Sequence, residues 1–163
     1  NELAKHGYEV GSAYTMVKSK QNTKFVYRDS LWAGADLIGL GVSSFGHING
    51  VHYQNKHNFD PYMESVQKNE LPVFRGLTPT HEERLIREMI LQLKKGEISQ
   101  SYFNNKFDVD IYSKFSQQYK SLEDEGHMTR DGDAIKLNRA ALLQVDGLIK
   151  RFYLEAHQNQ RYT

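Results

Sequence analysis

The sequence predicts an α+β fold, in which a sheet-forming segment that looks incomplete is followed by a mostly helical domain. Three observations predict it. Before about residue 75 the chain is rich in β-branched and aromatic residues and carries a glycine-studded apolar run, "LWAGADLIGLGVSSFGHING". After it, apolar residues recur at helical spacing behind an S/T-x-x-E capping box, Thr80 to Glu83. The order there is helix, helix, helix, hairpin, helix, which is the order of a winged-helix domain.

Taken from the start, Glu2 to Lys5 reads as the last turn of a helix closed by Gly7. The chain lacks an initiator Met, and domains rarely begin at the end of a helix. We therefore expect a piece of a longer chain whose first segment completes a sheet. Tyr8 to Lys18 alternates as a strand, Lys20 to Lys24 is a polar turn, and "FVYRDSLW" suits a second strand. Ala35 to Ser44 is a near-continuous apolar run of strand length, expected to be buried on both faces. Val51 to Gln54 suits pairing with a sheet edge. Asn58 or Asp60 caps a helix with Pro61 in its first turn and Tyr62, Met63 and Val66 inward.

In the second part, Leu85, Ile86, Met89, Ile90 and Leu93 mark a helix that ends by Gly96. A short helix follows from Ser99 to Phe107. A third starts at Asp110, with Ile111, Phe115, Tyr119 and Leu122 on one face, and stops at Gly126. Two short strands flank Asp131-Gly132, a dipeptide suited to a tight hairpin turn. Asn138 caps a final helix through Leu142, Val145, Leu148, Ile149 and Phe152.

Composition narrows the function classes. The 163 residues are 39% hydrophobic and 12% aromatic, enough for a packed core. A net charge of +1 gives no footprint for nucleic acid or an anionic membrane, and no stretch approaches the roughly 20 apolar residues that span a bilayer. Cytoplasmic placement is the expectation. With no cysteine, the chain has neither a disulfide framework nor thiolate ligands for zinc or iron–sulfur. The winged-helix order invites DNA binding, but between Glu97 and Gly126 three lysines and no arginine face six acidic residues, which repel phosphates.

The sites that chemistry could use are few. His47, His52 and His57 are spaced by five, which does not place them on one helix face, and they read as polar loop histidines around a turn. The glycine run fails three motif tests. Ser44 stands at the third glycine of a dinucleotide fingerprint, the Gly-Lys-Ser/Thr ending of a P-loop is absent, and Phe45 occupies the second glycine of a nucleophile elbow around Ser43. From the residues alone, a packed central strand and a ligand-lining strand remain open equally.

"ADLIGLGVSSFG", then Tyr53-Gln54-Asn55, Tyr62 and "LPVFRGLTPTHEERLIREMI", together resemble the C-terminal part of the oxygen-independent coproporphyrinogen III oxidase family of radical S-adenosylmethionine proteins. The resemblance covers nearly the whole chain and is strongest over residues 36–45 and 75–90. It implies that residues 1–75 are the C-terminal end of a partial α/β barrel, with 36–45 as a barrel-edge strand, and that 76–163 are a helical winged-helix-like C-terminal domain over its open side. It also implies an N-terminal barrel in the same polypeptide, holding a [4Fe–4S] cluster on a C-x-x-x-C-x-x-C loop that lies outside this chain. That cluster, fed by an electron donor, would cleave S-adenosylmethionine to a radical that oxidises a tetrapyrrole propionate.

Carried over residue by residue, the resemblance places Phe45 against S-adenosylmethionine, with Gly39, Gly41 and Ser43 small so that cofactor or tetrapyrrole can approach. It assigns this chain no catalytic residue and no metal ligand, so alone the chain is not an enzyme. The family's aromatic-Gln-Gly-Tyr-Thr-Thr segment is replaced by "VYRDSLWAG", with Tyr27 where Gln is expected and Trp32 close to the strand. Those two residues are the substrate-contacting candidates. The implied reaction is oxidative decarboxylation of coproporphyrinogen III. A haem-utilising or haem-binding relative and a non-catalytic winged-helix interaction module are the alternatives. The tail "EAHQNQRYT" matches neither subgroup.

Overall fold

A computed structural model describes residues 2–158, so Asn1 and the last five residues of the tail lie outside it. The described residues form two compact units, 2–26 with 85–158, and 27–84. Helix α1, Glu2–Lys5, ends at Gly7, whose φ of +74° favours glycine and whose N–H donates to the Ala4 carbonyl at 3.0 Å. The single strand expected over 8–18 is instead a hairpin of β1, Glu9–Ser12, and β2, Thr15–Val17. Ser12 makes the turn: its hydroxyl accepts from the Tyr14 N–H at 3.2 Å and shares a 2.8 Å bond with Thr15. Such a turn lacks Gly or Pro, so alternation alone runs straight through it.

In the unit 27–84, "FVYRDSLW" forms α2, Val26–Trp32, not a strand. Arg28 stacks its guanidinium over the Trp32 ring at 5.1 Å, an i,i+4 contact that helical spacing provides. The run 35–44 is not a strand either. Gly41 at φ +93° and Ser43 at φ +60° turn the chain out of extended geometry, and only Leu37 makes a bridge, to His47. Nor is it buried on both faces, for Ile38 is 66% and Leu40 82% exposed.

Strands β3, Phe45–Ile48, and β4, Val51–Asn55, form a hairpin around Asn49-Gly50, both at positive φ. Helix α3, Phe59–Gln67, follows. Asn58 takes the cap position without a side-chain bond, Tyr62 and Met63 are half-buried, and Val66 is exposed rather than inward. Strand β5, Val73–Leu77, pairs with β4, which makes β4 central instead of an edge partner. No apolar side chain between residues 27 and 84 is buried; the buried residues there are Gly46, His47, Asn55 and Ser65.

Helix α4, His81–Leu93, begins with the capping box as read. The Thr80 N–H donates to the Glu83 carboxylate at 2.7 Å, and the Glu83 N–H to the Thr80 hydroxyl at 3.2 Å. Strand β6, Glu97–Ser99, was not foreseen, since three residues with one apolar side chain carry no readable period. Helix α5, Gln100–Phe107, is capped by Ser99. The third helix breaks at Phe115 into α6, Ile111–Lys114, capped by Asp110, and α7, Ser116–Asp124.

Strands β7, Met128–Asp131, and β8, Ala134–Leu137, pair so that Gly132 and Asp133 make the turn, one residue later than expected. The sheet order is β6-β8-β7. Asn138 caps α8, Arg139–Leu143, followed by α9, Val145–Leu148, and 3-10 turns over Ile149–Phe152 and Glu155–His157. Met89, Phe103, Ile111, Tyr119 and Ile135, from five of these elements, are fully buried together. Each such side chain contributes about 1.5–3 kcal/mol through removal of apolar surface from water.

Candidate functional site

The candidate residues Gly39, Gly41, Ser43 and Phe45 lie in the loop that enters β3, and the loop is held by residues of β4 and α3. Asn55, 4% exposed at the end of β4, donates its amide to the carbonyls of Gly39 at 2.9 Å and Gly41 at 3.0 Å. The matching N–H groups are also taken: Gly39 donates to the Tyr53 hydroxyl at 3.1 Å and Gly41 to the Tyr62 hydroxyl at 3.2 Å. Ser43 donates its N–H to the Lys56 carbonyl at 3.0 Å. A loop with irregular dihedrals thus satisfies its main-chain groups through side chains.

The glycines are small for a reason within the chain. A Cβ on Gly39 would sit 2.3 Å from the Phe45 carbonyl oxygen, and one on Gly46 would fall 2.1 Å from the Tyr53 ring. Gly41 has no such neighbour and is instead required by its positive φ. What the loop presents outward is apolar. Ile38, Leu40 and Val42 are exposed, and Phe45, 41% exposed, stacks on His52 at 5.7 Å.

Tyr27 and Trp32 lie on α2, with Tyr27 68% exposed and Trp32 half-buried beneath Arg28. Five residues apart, they project from different sides of the helix. The ring contact of Trp32 is to Arg28 of its own helix. The histidines are not loop residues around one turn: His47 is buried in β3 directly opposite His52 in β4, while His57 lies edge-on to Phe74 at 5.0 Å. Among the described residues no group of three or more His, Cys, Asp or Glu is placed to hold a metal ion.

Asn55, Tyr53 and Tyr62 were legible as members of the resemblance but not as the clasp on the glycine loop. The sequence carried no signal for it, because an asparagine ending the polar run Val-His-Tyr-Gln-Asn is not out of place until its burial is seen. None of the described helices is long and apolar enough to cross a membrane.

No family model matches the chain. It is 28% identical over 134 residues to the oxygen-independent coproporphyrinogen III oxidase of Pseudomonas aeruginosa, covering 78% of this chain and 29% of that protein. It is 24% identical over 140 residues to the heme chaperone HemW of Bacillus subtilis, covering 85% of this chain and 35% of that one. The chain therefore spans about a third of the length of these curated relatives. In fold it matches the solved coproporphyrinogen III oxidase HemN of Escherichia coli, described as a radical SAM enzyme, with a TM-score of 0.71 at 18% identity over 93% of this chain and 38% of that one. Over most of its length, the chain is thus a homologue of proteins named oxygen-independent coproporphyrinogen III oxidase, sharing their fold.

Proposed function

We propose that this chain is the C-terminal part of a radical S-adenosylmethionine oxidoreductase that acts on a tetrapyrrole by oxygen-independent oxidative decarboxylation of coproporphyrinogen III. The observation that carries the reading is the homology over 134 residues to an oxidase so named. The exposed apolar loop supports it: side chains such as Leu40, 82% exposed, gain from a covering surface, and an N-terminal barrel would supply one. In this reading residues up to about 75 close the barrel, and 76–163 form a winged-helix-like C-terminal domain. The element order α4-β6-α5-α6/α7-β7-β8-α8 suits that domain.

The residues present answer differently to the two implied groups. Without cysteine, they offer no thiolate to a [4Fe–4S] cluster, whose ligands would come from the barrel. For S-adenosylmethionine, which supplies the radical when bound, Phe45 offers an exposed aromatic face. Gly39 and Gly41 contribute backbone shape only, since their polar groups are already bonded. Tyr27 and Trp32 would meet the tetrapyrrole. The protein would work in the cytoplasm with an electron donor.

Anaerobic reconstitution of the protein in its natural length, followed by assay of 5′-deoxyadenosine from S-adenosylmethionine, tests the class. Formation of 5′-deoxyadenosine dependent on a reduced cluster is expected, and a preparation that takes up no cluster would overturn the reading. A haem-carrying role is the second reading, favoured by the match to HemW. Stoichiometric haem binding without decarboxylation would select it.

A further inference from the structure

A second feature lies wholly within the unit formed by residues 2–26 and 85–158 and uses none of the candidate site residues. A cleft of about 260 Å³ is rimmed by Lys20, Lys95, Lys136 and Arg139, with Glu97 the acidic residue in its lining. The four cations come from separate places in the fold: the turn after β2, the connection from α4 to β6, strand β8 and the first residue of α8. Lys136 is neutralised in part, by Asp131 at 2.7 Å and by Glu97 in the opposing register position. Lys20, Lys95 and Arg139 have no ion-pair partner among the described residues. Like charges gathered at one concavity repel one another, and an oxyanion seated among them relieves that repulsion and accepts charge-assisted hydrogen bonds. Leu137 and Leu142 give the cleft apolar wall, which weakens screening by water.

We propose that this cleft is a binding site for a compact oxyanion carrying two or more negative charges, a phosphate or a carboxylate compound. Its size suits a small molecule more than a helix or a strand. Titration of the chain with pyrophosphate and, separately, with citrate, followed by backbone amide NMR and calorimetry, tests the proposal. Saturable shifts centred on Gly96, Lys136 and Arg139 are expected, with pyrophosphate favoured if the natural ligand is a phosphate and citrate if it is a carboxylate. The paired change Lys95→Glu with Arg139→Glu should weaken binding at least about tenfold with unchanged thermal unfolding. Lys20→Glu, in an exposed turn, provides the same test without touching α8. Shifts spread evenly over distant lysines such as Lys120, equal affinity in the charge-reversed variants, or a response to duplex DNA alone would overturn it.

Discussion

The amide of Asn55 donates to the carbonyl of Gly39 at 2.9 Å across sixteen residues of chain, and with its second bond, to Gly41, it fixes the course of the exposed loop. Asn55 is the point from which the candidate site is held. Asn55→Leu removes both donors and leaves two carbonyls to find water or remain unmet. A loss of about 1–3 kcal/mol is expected, seen as faster amide exchange at Gly39 and Gly41 before global unfolding. Unchanged exchange at these two amides would show that the tyrosine bonds suffice.

The Tyr53 ring covers Gly46 so closely that Gly46→Ala forces the ring aside, and with it the hydroxyl that receives the Gly39 N–H. Overpacking of this kind costs about 1–3 kcal/mol, whereas Tyr53→Phe, which deletes only the hydroxyl, costs about 0.5–1.5 kcal/mol. Denaturant midpoints of the two variants check the order. A larger loss for Tyr53→Phe would mean that the hydroxyl, not the fit, matters most.

In the helical unit, Glu88 is 4% exposed, and its two oxygens lie 2.9 Å from the ammonium of Lys106, with the Tyr102 hydroxyl also donating to it. Lys106→Ala leaves that carboxylate with one donor in a poorly solvated place. Breaking a fully buried pair costs about 3–5 kcal/mol; because the Lys106 side chain is 40% exposed, about 2 kcal/mol is expected. Replacing both partners, Glu88→Leu with Lys106→Leu, should recover part of the loss in equilibrium unfolding.

Much of the helical part was legible because its signals are local. Thr80 and Glu83 bond each other as the capping box requires, Asn138 caps as read, the helices expected to start at Ser99 and Asp110 do so with those residues as their caps, and Leu85, Ile86, Met89, Ile90 and Leu93 of α4 are buried. The sheet part was less legible, for reasons particular residues show. Ser12 turns the first strand through a hydroxyl bond that hydrophobic patterning does not register. Arg28 and Trp32 form a helical pair inside a stretch of strand-like composition. The run from Ala35 to Ser44 has strand composition, but Gly41 and Ser43 take positive φ, and its conformation depends on Asn55, Tyr53 and Tyr62 many residues later. The Asn49-Gly50 dipeptide, passed over within the glycine-rich run, makes the hairpin turn that sets β4 beside β3.

Acid should weaken the helical unit in a defined window. Arg151 holds the Glu125 carboxylate through two bonds, at 3.0 and 3.2 Å, and Ser121 donates at 2.6 Å; together they bring its pKa from the ordinary 4.5 to about 2. A carboxyl held below its unfolded value stabilises the fold fully above that value and loses the effect as pH falls through the folded one. The contribution is therefore present above about pH 4.5 and titrates away toward pH 2. Glu125→Gln should flatten this limb of a plot of urea midpoint against pH. An unchanged slope would place the acid sensitivity elsewhere, with Asp146 next in line: burial, which raises its carboxyl, is outweighed by bonds from Lys94 and Tyr14.

The role proposed for this chain is to complete an enzyme that removes carboxyl groups from a tetrapyrrole. The most direct measurement is mass spectrometry of coproporphyrinogen III incubated without oxygen with the reconstituted natural-length protein, S-adenosylmethionine, a reductant for the cluster and an acceptor for the electron left when each carboxylate departs as carbon dioxide. Products that have lost propionate carboxyl groups as carbon dioxide, formed in step with 5′-deoxyadenosine, are expected. Unaltered coproporphyrinogen III beside a cluster that does cleave S-adenosylmethionine would contradict it.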